Sequence, residues 1–262
     1  MCGAKVRQKM RIHPIQTGFF STQASAMYGK YAAAFDNPCL LALRPVYVEW
    51  GDRKVLFDAG VGIAQVQGQE EYQFGGAKDL IVELEQLGCK PDQLTDVVLS
   101  HLHFDHCGGL VVRGPEGALL PAFPKATCWV SKRQWELAQN PSAFEVDAYV
   151  PELLRVLESL DLFRFVEVDG PLFPGLTVEL YDGHTQGQLV SWLTSQQGQC
   201  FVLPGDVIPT KKHLLLGCIS AFDCSKQKAI DSKKHLLNRI IEANAVLFFY
   251  HDIATESISL MR

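Results

Sequence analysis

Short apolar or alternating runs, typical of strands, follow one another along the chain. Between them lie stretches in which apolar residues recur every three or four positions, as in helices. The predicted strands cover residues 40–50, 54–57, 96–100, 127–130, 163–168, 176–181, 189–194, 200–203 and 246–250. The predicted helices cover residues 77–87, 132–139, 151–160 and 225–243, and the last is predicted to bury Ile230, Leu237, Ile240 and Ile241. Residues 111–125, rich in glycine and proline, predict a loop.

Because the strands form two groups, each followed by helices, we expect two packed sheets with helices outside them. The chain of 262 residues has no internal repeat and no linker-like segment, which predicts one domain over residues 1–262. Its 47% hydrophobic and 20% charged residues exclude a disordered or low-complexity protein. The net charge of −5, without any basic block, predicts that no nucleic acid is bound.

Features of membrane and exported proteins are missing from the sequence. The longest apolar runs are too short to cross a bilayer, and the first residues lack the apolar middle of a signal peptide. The eight cysteines include no CxxC pair, which favours free thiols. We therefore expect a soluble, cytoplasmic protein with no membrane partner.

A cluster of four candidate metal ligands directly follows the predicted strand 96–100: His101, His103, Asp105 and His106. On an extended segment, residues two apart point the same way, so His101 and His103 share one side. A turn that starts near His103 brings Asp105 and His106 to the other side. One strand end can thus supply two adjacent metal ions. Imidazole and carboxylate ligands without thiolate suit zinc, iron, manganese or cobalt equally.

Five segments in chain order resemble the motifs of the metallo-β-lactamase superfamily. They are LFDAG with Asp58, SHLHFDHCGG at residues 100–109, YDGHTQGQ with His184, PGD with Asp206, and FFYHD with His251. The resemblance extends over residues 58–251, most of the chain. It implies an α/β fold of four layers, an αββα sandwich, with a dinuclear metal site at one edge of the sheets.

The same resemblance implies a role for each matching residue. It places His101, His103 and His184 on a first metal ion, Asp105, His106 and His251 on a second, and Asp206 between the two. Asp58 is expected to hold the histidine loop by hydrogen bonds, as partners of metal ligands do. The cofactors are then two divalent ions, with zinc expected and iron or manganese as alternatives. Gly108 and Gly109 fit a close approach of the backbone.

The intact ligand set favours hydrolysis. We expect a hydroxide that bridges the metals to attack the carbonyl of a small ester or lactone, the reaction for which two-metal sites are suited. Asp105 and Asp206 are the candidate catalytic residues, and a further hypothesis has Asp206 return the proton to the leaving group. The expected partner is a small-molecule substrate, and a homodimer is left open.

Within the superfamily, the sequence is most similar to the N-acyl homoserine lactonase branch, with two departures. Lactonases commonly carry a tyrosine shortly after the bridging aspartate, where this chain has Pro209. They also commonly carry a second histidine where this chain has Gln188. The alternatives are a thioester hydrolase of glyoxalase II type, a phosphodiesterase, a mononuclear iron sulfur dioxygenase and a binding module without catalysis.

Several residues outside the motifs allow more than one interpretation. Lys211, Lys212 and His213 either meet an acidic substrate group or form a solvated turn, and the turn is favoured. Cys107 is interpreted as a small packed side chain, and His13 and His235 as structural. Ten aromatic residues are candidates for an apolar cleft, although most aromatic residues belong to cores: Phe19, Phe20, Tyr28, Tyr31, Tyr72, Phe74, Phe104, Phe144, Tyr149 and Phe222.

Overall fold

Two mixed six-stranded sheets form the centre of the protein in a computed structural model, which describes residues 9–32, 37–62, 73–159 and 163–260. The strands are β1 (Arg11–Pro14), β2 (Gly18–Gln23), β3 (Pro38–Leu43), β4 (Val46–Trp50), β5 (Arg53–Phe57), β6 (Asp96–Val98), β7 (Val111–Arg113), β8 (Leu119–Pro121), β9 (Thr127–Ser131), β10 (Phe163–Val166), β11 (Gly170–Phe173), β12 (Leu176–Tyr181), β13 (Gln188–Thr194), β14 (Cys200–Leu203), β15 (Val246–Phe248) and β16 (Ser257–Ser259). The helices are α1 (Ala24–Tyr28), α2 (Leu80–Gln86), α3 (Phe104–Cys107), α4 (Lys132–Gln139), α5 (Pro151–Ser159) and α6 (Lys226–Glu242).

The first sheet has the order β1-β4-β5-β6-β9-β10 and the second the order β11-β12-β13-β14-β15-β16. Alternation along each strand decides which residues lie between the sheets. In β5, Val55 and Phe57 belong to the core between the sheets, which Val178 and Leu193 enter from the second sheet. Leu56 points the opposite way, into the core under α2 and α5.

The outer face of the second sheet is covered by α6, whose Leu236 and Ile240 pack against Val190 and Val202. The order of layers is therefore helix, sheet, sheet, helix. The expected αββα architecture is confirmed. Within the described residues, the structure has no helix with the length and apolar character needed to span a membrane.

The structure corrects two details of the predicted elements. Residues 111–125 are not a plain loop, because they contain the hairpin of β7 and β8. The turn between these strands includes Gly117 at positive φ. Helix α6 keeps nearly the predicted bounds, with Ser225 as its N-cap, but Ala229, Lys233, Leu236 and Ile240 are its buried residues. Of the predicted inward residues, only Ile240 is buried, and Ile230, Leu237 and Ile241 are half-buried. The predicted helix 151–160 is described over Pro151–Ser159, and Leu160 lies outside the described residues.

Candidate metal centre

The predicted ligands all follow strands that end at one edge of the two sheets. In the first sheet, the parallel strands β5 and β6 lead into Asp58 and into the histidine loop. In the second sheet, β12, β14 and β15 run in one direction, since β13 is antiparallel to β12 and β14, and β14 is parallel to β15. These three strands lead to His184, Asp206 and His251 respectively. Residues far apart in the chain thus meet in one place.

The first cluster, called here the three-histidine group, consists of His101, His103 and His184. Their ligand atoms lie within 4.8 Å of one another, and Nε2 of His184 is 3.2 Å from Nδ1 of His103. All three side chains are buried. Nε2 of His101 has no hydrogen-bond partner within the described residues. A buried nitrogen without a partner is costly, and a metal ion would satisfy it.

The second cluster, called here the mixed group, consists of Asp105, His106 and His251. Nε2 of His106 is 3.3 Å from Nε2 of His251. Oδ2 of Asp105 lies 3.4 Å from the His251 nitrogen and 3.7 Å from the His106 nitrogen. One carboxylate and two imidazoles therefore face a common point, and their ligand atoms also lie within 4.8 Å of one another.

Asp206 lies between the two groups and faces both. Its Oδ1 is 3.3 Å from Nε2 of His251 and 3.5 Å from Nε2 of His106. Its Oδ2 is 3.4 Å from Nε2 of His184. Oδ1 accepts no hydrogen bond from the described residues, although it is buried. This division of the two oxygens is the arrangement expected of a carboxylate shared by two ions.

Asp58 holds the histidine loop in the way the sequence predicted. Its Oδ1 accepts a hydrogen bond from the backbone of Ser100 at 2.7 Å, and its Oδ2 accepts one from the Ser100 hydroxyl at 2.8 Å. Oδ2 also lies 2.9 Å from Nδ1 of His106. Asp58 adopts a φ of 56°, a left-handed conformation that aspartate tolerates better than most residues. The ring of His106 is thereby fixed with Nε2 facing the mixed group.

Three further partners orient the histidines, and the sequence reasoning missed them. Nδ1 of His184 lies 3.1 Å from Oδ1 of Asp223, and Nδ1 of His251 donates to the carbonyl of Ala42 at 2.8 Å. Nε2 of His103 lies 3.8 Å from Oε1 of Glu145. No motif spacing marks these positions. The only signal for Glu145 and Asp223 is an isolated acidic residue directly after a phenylalanine, which is weak.

Electrostatics in the cluster suit cation binding. Burial, reinforced by the neighbouring imidazoles, lowers the pKa of His101 well below its ordinary value, so this ring is neutral and able to coordinate. Burial opposes protonation of His106, but the surrounding carboxylates outweigh it and raise the pKa of this ring. Burial also opposes ionisation of Asp206, yet three imidazoles hold its pKa well below the usual range. Neutral imidazoles and ionised carboxylates are the forms that bind divalent metals, so His101 and Asp206 are in the binding form and His106 must release a proton when an ion binds.

A cavity of about 300 Å³ opens onto these groups. Four of the ten candidate aromatic residues line it: Phe20, Phe104, Phe144 and Phe222. Its acidic lining residues are Asp105, Glu145, Asp147, Asp206 and Asp223, and no lysine or arginine is among its described lining residues. Tyr149 is buried, with its ring edge-on to His103. Tyr72 lies outside the described residues, and the other aromatic candidates do not line the cavity.

The residues after Asp206 correct one prediction and bear out others. Lys211 and Lys212 are exposed, as a solvated turn requires, but His213 is buried. Nε2 of His213 donates to the carbonyl of Met27 at 3.2 Å, and Nδ1 accepts from Thr210 at 2.8 Å. The favoured solvated-turn interpretation is therefore wrong for His213. Cys107 is fully buried, as expected.

Comparisons with known proteins agree with this geometry. Residues 46–242 match the sequence profile of the metallo-beta-lactamase superfamily. An N-acyl homoserine lactonase of Bacillus thuringiensis is 27% identical over 181 residues, which are 68% of this chain and 64% of that protein. One of Bacillus cereus is 25% identical over 178 residues, 68% of this chain and 63% of that protein. The match thus spans less than two thirds of these relatives' length.

Solved structures share the fold across nearly the whole chain. A probable metal-dependent hydrolase from Staphylococcus aureus has a TM-score of 0.85 at 22% identity and covers 95% of this chain and 92% of its own. AidC, a dizinc quorum-quenching lactonase in complex with a product, has a TM-score of 0.78 at 19% identity, with 97% and 93% covered. At these identities the likeness concerns the fold. The profile match over most of the sequence carries the assignment, and the chain belongs to the metallo-β-lactamase superfamily.

Proposed function

We propose that this protein is a metal-dependent hydrolase that holds two divalent ions and cleaves a small ester or lactone. The observation that carries the proposal is the position of Asp206, which turns one oxygen toward the three-histidine group and the other toward the mixed group. A shared carboxylate keeps two ions close together, as two-metal hydrolytic sites require. The buried, unpartnered Nε2 of His101 and Oδ1 of Asp206 fit such an occupancy.

Each ligand has a defined task in this proposal. His101, His103 and His184 would hold the first ion, Asp105, His106 and His251 would hold the second, and Asp206 would contribute to both. Two such ions, when bound, activate a water molecule at neutral pH and polarise the carbonyl of the substrate. Zinc is the proposed metal, because the fold neighbour AidC is a dizinc enzyme.

The proposed reaction also moves one proton, from the attacking water to the leaving oxygen. One molecule of water is consumed: its oxygen forms the new bond to the carbonyl carbon, and the bond to the alkoxy oxygen breaks. We assign to a carboxylate oxygen of Asp206 the transfer of the water's proton to that leaving oxygen. An Asp206→Asn variant that keeps both ions and full activity would contradict this assignment.

The charge of the cavity favours a neutral carbonyl substrate. Six carboxylates, those of Asp58 and of the five acidic lining residues, outnumber the four positive charges of two divalent ions. No lysine or arginine among the described lining residues offers a partner for an anion. A phosphodiester, or a thioester with an anionic carrier such as glutathione, would therefore be repelled. The relatives that act on N-acyl homoserine lactones support a lactone as the bond that is cleaved.

The sulfur dioxygenase alternative is supported less well, because it uses one iron and this chain offers the complete mixed group in addition to the three-histidine group. A binding module without catalysis has no specific observation in its favour. We also propose that residues 1–262 act as one domain, and that the partner is a small molecule.

The test combines metal analysis with a substrate panel. The purified protein is analysed for metal content and offered neutral lactones and esters, thioesters, phosphodiesters and β-lactams. We expect two ions per chain and hydrolysis of lactones or esters that stops on chelation and returns with zinc. A His251→Ala variant is the matched control for metal-dependent turnover. Turnover of phosphodiesters alone would contradict the proposed bond, and one iron per chain with oxygen consumption would contradict hydrolysis.

A further inference from the structure

Glu145 connects the rim of the cavity with a ligand of the three-histidine group, although it belongs to none of the superfamily motifs. It lies between α4 and α5 and is 7% exposed. Its Oε1 accepts a hydrogen bond from the hydroxyl of Thr185 at 2.6 Å and lies 3.8 Å from Nε2 of His103. Its neighbour Phe144, 61% exposed, lines the cavity, as does Asp147. One short segment therefore touches both a metal ligand and the substrate space.

His103 differs from the other four histidines of the site in the nitrogen that it turns inward. In His106, His184 and His251, Nδ1 has an oxygen partner at 2.8 to 3.1 Å, and Nε2 faces the other ligands of the site. His101 likewise has its Nδ1 beside the Ser100 hydroxyl at 3.0 Å. His103 instead directs Nδ1 toward Nε2 of His184, and its Nε2 points away from the group.

This orientation creates a requirement for an acceptor. A neutral imidazole carries one proton, and the nitrogen that carries it cannot bind a metal. If Nδ1 of His103 is the ligand, Nε2 must hold the proton, yet Nε2 is buried and has no hydrogen-bond partner within the described residues. The carboxylate of Glu145 lies beside this nitrogen, with Oε1 at 3.8 Å. Contacts of this kind are often long before the site is filled and shorten afterwards.

Neighbouring polar groups hold the carboxylate in place. The side-chain amide of Gln134 donates to the Thr185 hydroxyl at 3.0 Å and to the carbonyl of Gln186 at 2.9 Å. The Tyr149 hydroxyl donates to the Gln134 side chain at 3.1 Å. Because Thr185 receives a hydrogen bond from Gln134, its own proton is directed to Glu145. Burial opposes ionisation of Glu145, but the adjoining His103 ring and the Thr185 hydroxyl outweigh it and lower the pKa of this carboxyl to about 2.

We propose that Glu145 is a positioning residue, which accepts the Nε2 proton of His103 and thereby fixes the tautomer in which Nδ1 binds the metal. This inference rests on the proposed two-metal function. It differs from a substrate contact, since its effect is exerted on metal affinity. It also predicts that the segment carrying Phe144 and Asp147 is anchored to the metal centre through Glu145.

The test measures zinc affinity at both sites by competition with a chromophoric chelator. In Glu145→Ala, we expect one zinc ion to bind about 10 to 100 times more weakly, the usual cost of removing such a partner. The other ion should keep its affinity. In Glu145→Gln, the amide oxygen still accepts the His103 proton, so affinity should return to within a few-fold of the wild type. Asp147→Ala, on the same segment without a histidine contact, should leave both affinities unchanged.

A spectroscopic measurement on the unmodified protein makes the test independent of the variants' folding. Long-range ¹H–¹⁵N NMR of the zinc-loaded protein should show His103 protonated at Nε2. A proton on Nδ1 of His103, or two wild-type zinc affinities in Glu145→Ala, would overturn the role of Glu145 alone. A wild-type protein that binds no zinc would overturn the metal centre together with this inference. The outcomes thus separate the two proposals.

Discussion

The two groups of the candidate metal centre are held by different parts of the molecule. In the mixed group, His106 is fixed by Asp58 at the end of β5, and His251 is fixed by the backbone carbonyl of Ala42 in β3. In the three-histidine group, His184 contacts Asp223 and His103 lies beside Glu145. Both acidic residues lie on connections between elements. Both of these acidic residues also line the cavity.

The partners of the mixed group lie in or directly after strands, whereas the partners of the three-histidine group line the cavity. Strand ends are fixed by the ladder of the sheet, and the residues that orient His106 and His251 do not line the cavity, so this support is insulated from changes in the cavity wall. Connections vary and move more than the elements they join. We therefore expect substitutions of Asp223 and Glu145 to change metal binding at the three-histidine group first, and substitutions at strand ends to affect the stability of the whole fold.

The largest effect is expected from Asp58→Ala. The substitution leaves the Ser100 amide and hydroxyl and Nδ1 of His106 without their buried acceptor. Losing one partner of a buried, charged network costs about 3 to 5 kcal/mol. We expect the free energy of unfolding of the metal-free protein to fall by about this amount, measured by chemical denaturation followed by circular dichroism.

Asp58→Asn is the matched control for this loss. Asparagine tolerates the positive φ of this position and retains one oxygen, which can still accept from the Ser100 amide. Its NH₂ group cannot accept the hydrogen bond from His106, so this contact is lost. Because the contact with the Ser100 amide remains, the loss of stability should be smaller than in Asp58→Ala. An unfolding free energy of Asp58→Ala equal to that of the wild type would contradict the view that the sheet supports the mixed group.

A smaller and more local effect is expected from Asp223→Ala. The substitution removes the oxygen 3.1 Å from Nδ1 of His184. One zinc ion should bind about 10 to 100 times more weakly, or about 1.4 to 2.7 kcal/mol, in the chelator titration. Asp231→Asn, an exposed change on α6, is the control. If both zinc ions weaken equally in Asp223→Ala, the two groups are not supported separately.

The sequence predicted the candidate ligands and missed most of the groups that orient them, for a physical reason. His101, His103, Asp105 and His106 were found because a strand end and a turn bring close neighbours in sequence together in space. Asp58 was found because it stands in a recognised motif. Glu145 and Asp223 meet His103 and His184 only through tertiary packing, 42 and 39 residues away in the chain, and no local pattern encodes such contacts.

The prediction of helices from hydrophobic periodicity had the same limit. The run of apolar residues in α6 predicted a helix with nearly correct ends, but the buried side includes Lys233, whose ammonium donates to the carbonyl of Cys218. A buried lysine with a backbone partner does not look apolar in the sequence. Hydrophobic periodicity therefore placed the helix correctly and its inward face only in part.

The smallest effect is expected from a change in pH that acts through the buried His213. Burial and the nearby Lys233 ammonium lower the pKa of this ring to about 4, against Asp223 and Asp206, which favour its protonated form. The unfolded chain takes up this proton near pH 6.5 and the folded chain only near pH 4, so stability is present above pH 6.5 and is lost as the pH falls. Between pH 7 and 5 the loss should be about 1 to 2 kcal/mol. Chemical denaturation of the chelator-treated protein measures it, with His213→Gln as reference, because the other groups titrate in both proteins. If the curves of unfolding free energy against pH are parallel for the two proteins, His213 does not contribute to the pH dependence of stability.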